Sequence, residues 1–104
     1  MLHKSIRTLV GRAVVLGVIV FAFAACETSP PVQEMSDARQ AIAVAKEAGA
    51  EDLAKVHLTA AENYLASAEQ LLVEREYHQA RRDAKQAKMK ALDALQASES
   101  QKDD

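Results

Sequence analysis

The chain has 104 residues, room for one small domain. It carries 13 Lys and Arg against 15 Asp and Glu. Every acid lies beyond residue 25, where only ten of the bases remain, so that stretch is acidic by five charges. Nucleic-acid-binding chains present a net basic footprint, which argues against that partner class.

Residues 1–12 carry Lys4, Arg7 and Arg12 and no acid, and residues 13–25 read AVVLGVIVFAFAA. A basic start, an apolar run and small residues at its end predict a helical secretory signal peptide over 1–25. The alternative is a retained membrane span, but a span needs about 20 apolar residues and this run is shorter. Cys26, the one cysteine, follows Phe23-Ala24-Ala25 directly, which leaves no partner for an intrachain disulfide. This arrangement resembles the bacterial lipobox, with Phe23 standing where an aliphatic residue is usual. The resemblance implies cleavage between Ala25 and Cys26, with diacylglycerol and an N-acyl chain on Cys26 as the chain's only prosthetic chemistry. Two or more acyl chains hold a protein stably at a membrane, where one holds it marginally. Ordinary cleavage after Ala24, leaving Cys26 as a free thiol, is the competing reading. By the sorting logic of such lipoproteins, Glu27-Thr28-Ser29 lacks the aspartate that favours inner-membrane retention. The expected address is therefore the periplasmic face of the outer membrane, with the inner membrane second.

Residues 26–33 form a short tether that Pro30-Pro31 biases toward extended conformations. Pro31 also suits the first position of the helix that follows. The remainder, 32–98, is expected to be all-α, a helical hairpin or three-helix antiparallel bundle with alanine-rich seams. A first helix over 32–48 places Met35, Ala38, Ile42 and Ala45 on one stripe and ends at Gly49, a natural left-handed cap. A second helix over 51–73 opens with Glu51 and Asp52, which complement the helix dipole. Its expected stripe is Leu53, Val56, Ala60, Tyr64, Ala68 and Leu71, broadened by Leu65 and Leu72. A third over 77–98 has the strict stripe Tyr77, Ala80, Ala84, Ala87, Ala91 and Ala94. The apolar stripe changes phase between Leu72 and Tyr77, which favours a chain reversal at 74–76. Val73, four residues before Tyr77, would also permit one long bent helix. Residues 99–104 read as a flexible tail.

Beyond Cys26 the chain holds 17 alanines and only 12 Leu, Ile and Val, so the interior is thin. Helix formation is secure on propensity, whereas a chain this short with so little apolar bulk leans on self-association or a partner. No Gly-rich phosphate loop, serine elbow or zinc spacing is present, which points away from catalysis, bound metal and a small-molecule substrate. His57 and His78 sit on separate helices as surface or seam residues. Tyr64 and Tyr77 read as core or interface. Arg81, Arg82, Lys85, Lys88 and Lys90 form the candidate interaction face for an anionic surface or partner. The competing reading is a solvated helix face that pairs with the acidic remainder.

The segments MSDARQAIAVAKEAGA, AAENYLASAEQLL and EYHQARRDAKQAKMKAL resemble a family of short, alanine-rich proteobacterial lipoproteins known only as a domain of unknown function. The resemblance covers about 32–97. It is most specific at Gly49-Ala50 and at the Tyr77, Ala80, Ala84 and Ala87 run. That family commonly has a proline soon after the Gly-Ala turn, absent here, and Gly-Asp before the tyrosine, where this chain has Arg75-Glu76. The third-helix pattern is also similar to the second helix of a tetratricopeptide repeat, though one unit is too few for a solenoid. The resemblance implies an envelope-associated interaction role and supplies no activity.

The expected function is a lipid-anchored, non-enzymatic helical module that binds an envelope protein or itself. One alternative is a rod-like, coiled-coil oligomer resembling the major murein lipoprotein, whose terminal lysine this chain replaces by Lys102-Asp103-Asp104. Another is an unanchored secreted helical protein.

Overall fold

The computed structural model describes residues 29–103. The expected signal segment, Ala25, Cys26 and the first tether residues lie outside the described residues. Four helices follow in order: α1 (Val32–Glu47), α2 (Ala50–Leu53), α3 (Lys55–Val73) and α4 (Tyr77–Lys102). The chain is all-α, with the helices packed on one another.

Pro31 is the N-cap of α1 and not its first residue. Its carbonyl accepts the Met35 N–H at 3.0 Å, and its ring is fully buried. Met35, Ala38, Ile42 and Ala45 are buried as the spacing predicts, with Ala41 beside them. The helix stops because Gly49 turns left-handed, at φ +89, and its N–H bonds the Lys46 carbonyl at 2.9 Å. A glycine adopts that conformation without the Cβ clash other residues meet.

The expected second helix is interrupted. Ala54 leaves helical geometry at φ −146, ψ 45, separating the single turn of α2 from α3. That break also resets the phase, and the expected stripe through Val56 is wrong: Val56 is 81% exposed. The buried positions are Ala54, Leu58, Ala61 and Ala68, with Leu65 and Leu72 packed against them. These recur at alternating intervals of four and three, the period of a coiled-coil seam. Of the expected stripe only Ala68 is fully buried; Leu53, Ala60, Tyr64 and Leu71 sit at its half-buried margins.

The chain reverses at 74–76. Arg75 takes a left-handed φ of 64; its N–H bonds the Leu72 carbonyl at 3.1 Å, and the Glu76 N–H bonds the Leu71 carbonyl at 2.9 Å. This double closure is the Schellman ending, which satisfies two of the last carbonyls of α3. The long bent helix is thereby excluded.

In α4, Ala80, Ala84, Ala87, Ala91, Ala94 and Ser98 are completely buried. Ser98 satisfies its hydroxyl by donating to the Ala94 carbonyl at 2.8 Å. The expected flexible tail is a correction too, since α4 runs on to Lys102. Gln101 Nε2 donates to the Leu53 carbonyl at 2.6 Å, a group left over by the break at Ala54. A helix end with such a contact gains order that its composition does not reveal.

The ion pairs Arg39–Glu69 and Lys46–Glu62 step in opposite directions along α1 and α3, so those helices are antiparallel. α4 reverses again and runs parallel to α1, as the Arg81–Glu34 pair near both N-termini requires. Among the described residues the core is twelve alanines with Met35, Ile42 and Leu58. Each alanine removes only about one methyl group from water, on the order of 0.8 kcal/mol. In exchange, side chains this small let helix backbones approach closely.

Candidate functional site

The five cations of the candidate face do not share one surface. At about 100° per residue, Arg81, Lys85 and Lys88 fall on one flank of α4, Arg82 beside them, and Lys90 on the opposite side. Arg82, Lys85 and Lys88 are exposed, while Lys90 and Arg81 are half-buried. Arg81 is engaged within the chain: Nε bonds Glu34 Oε1 at 3.1 Å, and Nη2 donates to the Ser29 carbonyl at 3.0 Å. A guanidinium suits this double role because its donors form a fixed planar fork. Arg81 therefore fastens the tether to the N-terminal part of α4. Ser29 and Glu34 are 52 and 47 residues away in sequence, so no local pattern signals the contact.

A groove of about 250 Å³ runs between α1 and α4, lined by Asp37, Gln40, Ala41, Val44, Lys88, Leu92 and Leu95. Its tether-side half is charged and its far half apolar. Asp37 accepts a bond from Gln33 Nε2 at 2.9 Å. Between α3 and α4 lies a second groove of about 350 Å³, lined by Ala60, Asn63, Tyr64, Ser67 and Asp83. There the Ser67 hydroxyl donates to Asp83 Oδ2 at 2.6 Å, a cross-helix bond that sequence reasoning missed. Serine bound directly to a carboxylate, with no imidazole between, is not an activated nucleophile. His57 lines a third hollow of about 320 Å³ with Asp93, Gln96, Ala97 and Ser100; His78 is exposed at the start of α4. Among the described residues no three His, Cys, Asp or Glu side chains gather to hold a metal. None of the described helices is long and apolar enough to cross a membrane. Cys26 and Ala25 lie outside the described residues.

The arrangement defines an alanine-seamed bundle of three long helices whose polar side chains mainly pair across or along helices. Residues 33–104 match the model of the family described as a domain of unknown function (DUF4398), and the chain belongs to that family. No curated protein and no solved structure matches it.

Proposed function

We propose that this protein is a lipid-anchored, non-enzymatic module of the bacterial envelope, held by acyl chains on Cys26 at the periplasmic face of the outer membrane. It binds an envelope protein or a second copy of itself. The anchor rests on the basic start, the apolar run and the lone Cys26 after Ala24-Ala25. The binding role rests on one structural observation, an inverted placement of apolar side chains. Among the described residues Pro31, Met35, Ile42 and Leu58 are the buried apolar side chains larger than alanine, whereas Val32, Val44, Val56, Val73, Met89 and Leu92 are exposed. Apolar area left in water is area available to a partner. The two chain reversals support a compact module over the rod-like oligomer.

The test is incorporation of radiolabelled palmitate by the native protein and by Cys26→Ser. Label in the native chain alone supports the anchor, and label in neither removes it. In-cell crosslinking from the outer side of α3, where Val56 is 81% exposed, then reads the partner.

A further inference from the structure

The hydrogen bond from Arg81 to the Ser29 carbonyl fixes where the chain upstream leaves the bundle. From Cys26 to Ser29 is three residues, at most about 11 Å when fully extended. Whatever holds Cys26 is thus close to the Arg81 flank of α4. That flank continues through Lys85 and Lys88 to Leu92, and across the groove to Val44 on α1. Val44 is 39% exposed, Leu92 46% and Met89 57%. At its tether end the acids facing this flank are Glu34, paired to Arg81, and Asp37, hydrogen-bonded by Gln33; at its far end the exposed Glu99 lies in line with Arg81. Against them stand three exposed cations, Arg82, Lys85 and Lys88. Exposed apolar side chains interleaved with cations, beside the attachment point, are the pattern of a surface that lies in a lipid interface.

We propose that the α1–α4 flank lies on the anionic lipid surface that holds the anchor, with the helix axes along the membrane plane. Arg82, Lys85 and Lys88 meet headgroup phosphates, and Val44, Met89 and Leu92 enter the boundary between headgroups and acyl chains. The outer side of α3 then faces the periplasm and is the side left for a protein partner. This inference rests on the lipidation of Cys26 proposed above.

The test uses the full lipidated protein in vesicles of phosphatidylethanolamine and phosphatidylglycerol. A fluorophore is attached at Met89→Cys or, on the exposed side of α3, at Ala66→Cys, and nitroxide-headgroup lipid serves as the quencher. The label at 89 should be quenched about threefold more than the label at 66, with the contrast falling as salt rises or phosphatidylglycerol is omitted. The double variant Lys85→Glu, Lys88→Glu changes only exposed residues; it should float with the vesicles yet lose the contrast. Equal quenching at both positions, or quenching at neither, in protein that floats would overturn the orientation while leaving the anchor intact. Native protein that fails to float with vesicles would remove the anchor and the orientation together.

Discussion

The turn at 74–76 offers the sharpest test of how this chain closes its hairpin. Arg75 holds a φ of 64 with a full side chain, a conformation that costs a residue bearing a Cβ roughly 1–2 kcal/mol. Arg75→Gly removes that strain. Glycine also gains freedom in the unfolded chain, which offsets about 0.4–1 kcal/mol. The net expectation is a stabilisation of roughly 0.5–1 kcal/mol, or about 2–8 °C in Tm for a domain this size. Arg75 is exposed, and Arg75→Ala, which keeps the Cβ, should change stability by less than about 0.5 kcal/mol. Gly49→Ala is the mirror experiment. A Cβ there would meet Leu53 Cδ1 at 3.5 Å, ordinary contact, so the expected loss comes from the backbone at φ +89 and is about 1 kcal/mol. Thermal and urea unfolding followed by far-ultraviolet circular dichroism reads all three. If Arg75→Gly destabilises, or Arg75→Ala and Arg75→Gly behave alike, the left-handed closure is not what holds the turn.

Three further outcomes follow from the packing. Ala87 has no exposure, so Ala87→Leu forces the helices apart and should cost about 1–3 kcal/mol or more, whereas Val56→Ala should move the urea midpoint by less than about 0.5 kcal/mol equivalent. A double-mutant cycle over Arg81→Met and Glu34→Gln should show a coupling of about 1 kcal/mol or less, as expected for a half-buried pair; a coupling of zero would mean the pair does not form in solution. Ending the chain after Ser98 removes the Gln101 bond to Leu53 and should lower stability by about 1 kcal/mol; an unchanged unfolding curve would show that the last turn of α4 is dispensable.

What was legible in the sequence follows from how strongly each signal competes with its neighbours. In α4 the alanines at 80, 84, 87, 91 and 94 stand among charged and polar residues, so one stripe is visible and the buried set matches it. In α3 leucine, valine and alanine occupy several faces at once. The expected stripe therefore takes Val56 and Ala60 where Ala54, Leu58 and Ala61 are the buried residues. The start at Leu53 compounded this, because it lies before the break at Ala54. The hairpin was visible only as a phase change, since Arg75 gives no hint of its left-handed backbone. Gly-Asp, the resembled family's usual pair at 75–76, fits the geometry directly: glycine for the left-handed residue and aspartate for the position that becomes the N-cap of α4. Within the candidate face the sequence supplied the cations but not their division. Arg81 was indistinguishable from Arg82 until tertiary structure brought Glu34 and Ser29 against it.

An alanine core with the larger apolar side chains outside also links folding to binding. Twelve buried alanines and three larger residues leave little hydrophobic stabilisation beyond what ordering the chain consumes. Any ligand that covers Val44, Met89 or Leu92 in the folded state alone must then add directly to stability, by about 2.7 kcal/mol at a hundredfold excess over its Kd. In a domain of this size that corresponds to a Tm increase of roughly 10–20 °C. The lipidated protein on anionic vesicles should therefore unfold at a distinctly higher temperature than the Cys26→Ser chain free in solution. The Lys85→Glu, Lys88→Glu variant on the same vesicles should fall between them. If the vesicles raise the midpoint of the native and double-variant proteins equally, anchoring alone is responsible and the outward apolar residues serve some surface other than lipid.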